Sequence, residues 1–483
     1  MKLSAKAIKR VAGVFAGVDL GDPRRYARLE RTLHLLAAAP DSPLPEAMGG
    51  DSELKGAYRL LNSEFVDATA LNEQHGVTTA ERAKKADCVF AIHDTTQFEF
   101  SHADAEAVGY LNTGKAGFRL HYALIVDATD ARRRPLGVAN AEAIFRDRPP
   151  KKRRKKRGRS SKSGPQTVRD EQRKSLRWSR GFAKVGACLE GVNIIHLADR
   201  EGDNYELLGR AVQAGQRFVI RVRVPDRRVR GENGQSGSVR TVIESCKGLL
   251  TREVPISTRR KRPEPQANKT HPPRAARIAE LEFSATTVAM SRPRYHRADL
   301  PAELNLNVVR VFEPNAPKQE KPIEWLLFTT EPASTPEEVA AVVDAYRARW
   351  LIEECNKALK TGCSYERRQL ESRHALLTLL AITLPIACEV LWLRSRAREE
   401  PDRPAQEVLT PTQIQVLRVL GPRKLGSAPT IRDALWAVAA LGGHLKSNGE
   451  PGWQILHRGM IKLLAYEEAW IAAHHGRRRA THL

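Results

Sequence analysis

Apolar and polar positions repeat with two different periods along this chain, and the change of period marks its parts. From residue 1 to about 80 the period is helical: Leu29, Leu33 and Leu36 line one face, and Arg24, Arg25, Arg28 and Arg31 supply charge. Pro43 and Pro45 break this stretch, and a second helical pattern runs through Lys55 to Leu61. Near Cys88 short apolar runs take over. Cys88 to Ile92 closes on His93-Asp94-Thr95-Thr96, and Val192 to Ala198 closes on Asp199; each predicts a buried strand ending at an aspartate. His121 to Val126, Leu136 to Phe145 and Phe218 to Val224 are further strand candidates, with helical patterns between several of them. The segment predicts a mixed α/β sheet. Period-two stretches such as Leu304-Asn305-Leu306-Asn307-Val308 predict a β-rich insertion over about 250–324. The apolar run from Ala375 to Cys388 contains Pro385, ends at Glu389, and is too short for a confident bilayer span; it predicts a buried helix. After a gap at Glu399 to Gln406 the helical period returns over 408–475, with no internal repeat. Three units result: helical over 1–80, α/β over 85–400 and helical over 405–483.

Composition changes this picture by pointing to a partner. The chain has 483 residues, 41% of them apolar, and 80 Lys+Arg against 56 Asp+Glu, a net of +24. A basic excess of this size favours a polyanion, such as nucleic acid or an acidic membrane surface. Between 151 and 180 there are fourteen basic residues and two acidic ones, a net of +12, so half the excess sits in thirty residues. The loop over about 147–165 carries the densest part, nine basic residues in the twelve from Lys151 to Lys162. It reads either as a solvated, disordered loop or as a contact surface for backbone phosphates. Met1 to Arg10 is basic, but no apolar signal core follows. The six cysteines include no C-x-x-C pair, which argues against a zinc or disulfide framework and fits a reducing, cytoplasmic compartment.

One predicted helix, Pro336 to Lys360, carries more chemistry than the rest. At about 100° per residue, Tyr346, Arg349, Glu353, Lys357 and Lys360 fall within about 80° of arc. Leu351, Ile352, Cys355, Ala358 and Leu359 take the opposite face. An amphipathic helix must have some polar face, but this one embeds a single acid among basic groups. A metal-dependent nuclease needs that arrangement, with the acid for a cation and its neighbours for a DNA strand.

Asp94 and Asp199 are alternatively ordinary turn or cap residues. Taken with Glu353 they make three carboxylates, and ligands in α/β sheets gather at strand carboxyl ends. Hard oxygen donors suit Mg²⁺ or Mn²⁺, and two such ions can drive in-line displacement at phosphorus.

These residues resemble a known family. Tyr346-x2-Arg349-x3-Glu353-x6-Lys360 meets every spacing of the YREK signature of bacterial DDE-class insertion-sequence transposases (insertion sequence family four, Tn-five-like). Ile92-His93-Asp94-Thr95-Thr96 looks like that family's first-aspartate strand, and Asp199-Arg200-Glu201-Gly202-Asp203 like its second-aspartate motif. Leu20-Gly21-Asp22-Pro23-Arg24-Arg25 and Gly56-Ala57-Tyr58-Arg59 resemble its end-binding domain, and Pro451-Gly452-Trp453 its C-terminal dimerisation region.

The resemblance implies an RNase H-like core with a β-rich insertion, flanked by a helical end-binding domain and a helical dimerisation domain. It implies cut-and-paste transposition: nicking, hairpin formation and opening at the transposon ends, then strand transfer into target DNA. Asp94, Asp199 and Glu353 would be the catalytic and metal-holding residues, with two Mg²⁺ or Mn²⁺ ions per site. It further implies DNA contacts at Tyr346, Arg349, Lys357, Lys360, Arg221, Arg28 and Arg59, with Trp325 stacking on a flipped base, and a synaptic homodimer on double-stranded DNA in the bacterial cytoplasm. Asp203 is expected in a capping or salt-bridge role. Two other functions compete. Against a transposase-derived DNA-binding protein without catalysis speak the intact Asp94, Asp199, Glu353 and Lys360. An RNase H-like metal nuclease would not need the terminal domains.

Overall fold

The structure is a computed structural model that describes residues 5–149, 176–259, 272–294, 296, 299–318, 320–445 and 450–480. Most of the basic loop therefore lies outside the described residues.

The N-terminal unit is five helices: α1 (Ala5–Ala12), α2 (Pro23–Ala38), α3 (Leu44–Met48), α4 (Asp51–Leu61) and α5 (Ala68–Ala83). The Gly21-Asp22-Pro23 motif is a helix start. The Asp22 side chain accepts from the Arg24 amide at 2.8 Å, and Pro23 takes the first turn, where its missing N–H costs nothing. Leu29, Leu33 and Leu36 are buried, as their spacing predicts.

The central unit is built on one sheet. Its strands are β1 (Val89–Glu99), β2 (Gly117–Asp127), β3 (Pro135–Ile144), β4 (Ile194–Ala198), β5 (Arg217–Arg221), β6 (Arg228–Gly231), β7 (Ser236–Ser238), β8 (Leu250–Ile256), β9 (Arg277–Ser291), β10 (Glu303–Phe312) and β11 (Glu324–Thr329). The order across the sheet is β3-β2-β1-β4-β5-β11-β10-β9-β6-β7, with β8 also on β9. The first three strands are antiparallel, β4 and β5 run parallel to β1, and β11 returns antiparallel beside β5. The predicted β-insertion is thus no separate layer, because its strands extend the same sheet through β11.

Helices between the strands are α6 (Ala105–Val108), α7 (Leu176–Cys188), α8 (Tyr205–Gln213) and α9 (Val239–Glu244). After the sheet come α10 (Pro336–Ala348), α11 (Trp350–Lys357) and α12 (Arg373–Glu399). Alternation along the strands splits the core between two faces. Phe90, Ile92, Leu120, Tyr122, Leu124, Leu197, Val219 and Leu327 join one core with residues of α10, α11 and α12 and with the N-terminal helices. Phe218, Ile220, Val308 and Phe328 face the other way, against Trp178, Phe182, Leu207 and Leu208 of α7 and α8. The predicted buried helix is α12, which contains Pro385; it is long and apolar enough to cross a membrane, but 83% of its apolar window is buried within the protein. The C-terminal unit, α13 (Pro411–Leu420), α14 (Ile431–Leu441) and α15 (Trp453–Ala480), has its own apolar cluster.

Two sequence expectations need correction. The strand reaching Asp94 does not end there: β1 continues to Glu99, because Thr96, Phe98 and their partners on β2 keep the antiparallel ladder going. The helix over Pro336 to Lys360 is not continuous. It breaks at Arg349 between α10 and α11, and from Ala358 to Gly362 it widens to a π-turn, closed by the Cys363 amide on the Ala358 carbonyl at 2.7 Å. A regular helical wheel therefore misplaces its last positions.

Candidate active site

The sheet register brings the two aspartates together. β1 and β4 pair in parallel from Val89 opposite Ile194 to Ile92 opposite Leu197. Two residues further along each chain stand Asp94 and Asp199, on the same sheet face as Ile92 and Leu197. Here β4 has ended, so β1 continues with one flank open. On the next strand Leu197 pairs with Val219, which puts Arg221 in the same row as Asp199. Arg221 pairs with Leu327, so Trp325, two residues back on β11, lies on the same face. The row Asp94, Asp199, Arg221, Trp325 runs from the middle of β1 across the carboxyl ends of β4 and β5 to the start of β11.

The helices close over this row. A capping box between Thr335 and Glu338, with Pro336 in the first turn, starts α10. That helix delivers a buried Tyr346, whose ring meets Trp325 edge-on at 5.4 Å between centroids. Arg221 lies 5.7 Å from the Trp325 ring centre. Arg349 stands at the break, and its Nη1 reaches Glu353 Oε1 at 3.3 Å. Glu353 follows in the first turn of α11, half-buried like Asp94 and Asp199.

Electrostatics confirms the proximity. Asp94 is held up to about 6, first by burial, then by the negative charge of Glu353, and further by Asp199, while a hydrogen bond from Asn356 works against them. Burial alone would lower Arg349, but Tyr346, Glu353, Asp199 and Asp94 together outweigh it and raise its pKa. Arg221 is lowered, mainly by burial, with Arg200 and Arg349 as cationic neighbours. The three acids thus share one field with Arg349. Among the described residues, no three His, Cys, Asp or Glu side chains stand as a ready-made metal-ligand group. Arg349 holds Glu353 and Asn356 holds Asp94, so the carboxylates are neighbours that have not closed on one point.

The remaining sequence candidates divide. Lys360 donates to the Gln97 carbonyl at 2.6 Å and lies over the Phe98 ring, so the π-turn carries it to the end of β1. Lys357 bonds Glu354 at 2.8 Å and covers the ring of Trp350, itself 55% exposed. Arg28 is clamped by Glu53 at 2.6 Å, and Gly56 leaves room for its guanidinium; a Cβ there would come within 2.5 Å of Cζ. Arg59 is exposed on α4. Asp203 lies apart from the acids. Its wholly buried carboxylate accepts from the Arg223 amide at 2.6 Å and from Arg227 at 2.6 Å, which fastens the turn after β5.

Residue patterns alone missed the supports of the site. Arg177 bonds Thr95 at 2.9 Å and pairs with Glu201, so it ties the residue after Asp94 to the turn that Asp199 caps. Beneath Asp94, on the opposite sheet face, His93 and His196 share a 2.9 Å hydrogen bond and stack against Phe182.

Comparison with known proteins follows the same division. Residues 11–66 match the family described as Transposase DNA-binding. Residues 180–386 match the family described as Transposase DDE domain. The chain carries the domains of a DDE transposase. The DDE-domain match spans Asp199, Arg221, Trp325, Tyr346, Arg349, Glu353, Lys357 and Lys360, and the DNA-binding match spans Arg28 and Arg59. Asp94 falls between the two matches, so its place in the site rests on sheet register and electrostatics. The cryo-EM structure of the piggyBac transposase synaptic complex with hairpin DNA aligns with a TM-score of 0.34 at 9% identity, over 82% of this chain and 74% of that one. That likeness is too weak to carry an argument about fold.

Proposed function

We propose that this DDE transposase is a cut-and-paste enzyme of the YREK group, cleaving transposon ends and joining them to target DNA at Asp94, Asp199 and Glu353. The observation that carries the reading is the grouping of three neighbouring carboxylates with Arg349, Tyr346, Arg221 and Trp325 where β4 and β5 end beside β1. The strand order β3-β2-β1-β4-β5, with the first three antiparallel, supports an RNase H-like core.

The donor set fits a hard divalent cation. Burial first, and then the negative charge of Glu353 and Asp199, makes the ionised form of Asp94 costly, and a bound cation offsets that cost. Asp94, Asp199 and Glu353 would hold Mg²⁺ or Mn²⁺, two ions per site. Such ions stabilise charge at phosphorus and activate a water or 3′-hydroxyl. The chain's own groups do the rest. Arg349 and Arg221 offer guanidinium donors for a phosphate. Tyr346 presents its hydroxyl between them and backs Trp325 edge-on. Trp325 offers a stacking surface for an unpaired base, which offsets part of the cost of flipping it, at about 1–3 kcal/mol per base. This combination suits nicking, hairpin formation, hairpin opening and strand transfer, all displacements at phosphorus. Lys360, at the rim beside β1, is a DNA contact in this reading, with Lys357 further out. Arg28 and Arg59 on the N-terminal helices contact the transposon end. The working form is a synaptic homodimer in the bacterial cytoplasm, at the nucleoid.

The test is cleavage of the inverted repeats flanking the gene, supplied as labelled duplexes with Mg²⁺. Asp94→Ala, Asp199→Ala and Glu353→Ala should each abolish nicking while leaving binding of the ends within about threefold. Undiminished cleavage in any one of them removes that residue from the mechanism.

A further inference from the structure

We propose that Asn356 is a positioning residue that fixes the Asp94 carboxylate relative to Glu353 and so sets the affinity of the pair for a divalent cation, with Tyr122 fixing the amide of Asn356. This rests on the reading of Asp94 and Glu353 as the working acids.

The geometry is a chain of hydrogen bonds through three elements. Tyr122 on β2 stands directly opposite Asp94 on β1, and both point to the face covered by α11. The Tyr122 hydroxyl donates to Asn356 Oδ1 at 2.9 Å. The Asn356 amide then donates from Nδ2 to Asp94 Oδ2 at 2.8 Å. The direction is forced. An ionised carboxylate only accepts, so the amide nitrogen must face Asp94 and its oxygen must face Tyr122, whose proton it takes. Tyr122 is fully buried and Asn356 is 8% exposed, so this orientation is locked by packing.

Spacing supplies the link to Glu353. Residues three apart on a helix are neighbours on one face, so Asn356 and Glu353 leave α11 side by side. Glu353 reaches the rim while Asn356 reaches down to the strand. Like charges push Asp94 and Glu353 apart, and the Asn356 bond keeps Asp94 from turning away. It engages Oδ2 from the α11 side, while the Thr95 amide also bonds this carboxylate. Packing alone does not require an amide here. An apolar side chain would fill the space under α11 without burying polar atoms that must be satisfied.

The experiment uses full-length protein with Mn²⁺ as probe. It compares the parent with Asn356→Ala, Tyr122→Phe and Asp94→Asn in three assays: the Mn²⁺-induced rise in melting temperature, Mn²⁺ titration of end cleavage, and binding of end DNA in EDTA. Asn356→Ala should raise the half-saturating Mn²⁺ concentration about tenfold in both metal assays, the usual scale for an outer-shell support. Tyr122→Phe should raise it about threefold, since the amide stays but loses its guide. DNA binding in EDTA should stay within about twofold of the parent, and excess Mn²⁺ should restore most of the cleavage rate. An unchanged Mn²⁺ requirement in Asn356→Ala overturns the proposal. So does a loss that excess Mn²⁺ leaves unrestored and that extends to DNA binding in EDTA, because Asn356 then serves folding alone. A parent with no Mn²⁺ response, or an undiminished response in Asp94→Asn, overturns the reading of the acids themselves and this proposal with it. Those two failures appear in the parent and in Asp94→Asn, not in Asn356→Ala, so they are told apart.

Discussion

Asp94 works against the stability of the protein that carries it. Burial and the charges of Glu353 and Asp199 hold its acid up to about 6, against an ordinary 3.8. Between those two values the folded protein binds a proton that the unfolded chain releases. Stability therefore falls as pH rises through that window, and the deficit is complete above about pH 6. The shift corresponds to at most about 3 kcal/mol, and screening at this half-buried position reduces it to roughly 1–2 kcal/mol. Asp94→Asn should accordingly stabilise the metal-free protein by about that amount at pH 7.5, and by much less at pH 4.5, while abolishing cleavage. Its amide oxygen can still accept from Asn356, so the hydrogen bond is retained. Urea unfolding at the two pH values in EDTA measures this. Equal or lower stability of the variant at pH 7.5 would show that Asp94 carries no charge strain.

Elements place these residues where side-chain patterns alone do not. The four residues of the YREK spacing read as one face of one helix. They actually lie on α10, a break, α11 and a π-turn, so Tyr346 is buried against Trp325 while Lys360 reaches Gln97. A wheel shows that polar groups recur but cannot show a turn that tightens at Arg349 and widens after Ala358. The strands were legible because apolar runs are the direct imprint of a buried sheet; the end of β1 was not, because the apolar run stops at His93-Asp94-Thr95-Thr96 while the ladder with β2 continues to Glu99. Asn356, Tyr122 and Arg177 were illegible because each acts through a partner far away in sequence. Glycine carries similar hidden information in the C-terminal bundle. A Cβ on Gly459 would lie 1.8 Å from the Val438 carbonyl oxygen, and one on Gly442 2.0 Å from that of Ile455, so α14 and α15 meet backbone to backbone. Gly459→Ala must push the helices apart and should cost about 1–3 kcal/mol. Gly452→Ala, where a Cβ meets nothing within 4 Å, should cost under 0.5 kcal/mol by the usual scale of surface changes, ~0.5 kcal/mol either way. Equal denaturation midpoints for the two variants would contradict this close crossing.

At the scale of the whole molecule, buried imidazoles and excess positive charge set the working conditions. His75, His121 and His196 are each pushed down to about 3, chiefly by burial, with Arg82 adding to the first and Arg177 and Arg180 to the second. Below pH 6.5 the unfolded chain takes up protons that these sites refuse, so stability present above 6.5 is lost as pH falls. Each site contributes about 1.4 kcal/mol per pH unit, and by pH 5 the three together remove about 6 kcal/mol. Urea midpoints between pH 7.5 and 5 should therefore fall steeply, and a flat profile would mean that the histidines are not held neutral. The charge argument concerns DNA. With a net of +24, half of it between 151 and 180, affinity should fall steeply with salt, by a logarithmic slope of about −0.9 per phosphate neutralised. If the Lys151 to Lys162 segment contacts phosphates, replacing its nine basic residues with glutamine should flatten that slope by several units. End cleavage at low salt should survive, because Asp94, Asp199, Glu353 and Arg349 lie on elements outside that segment. An unchanged slope would assign the loop to solvent and leave the DNA contacts to the described surface. The slope distinguishes these cases where a single affinity does not, since it counts phosphates directly.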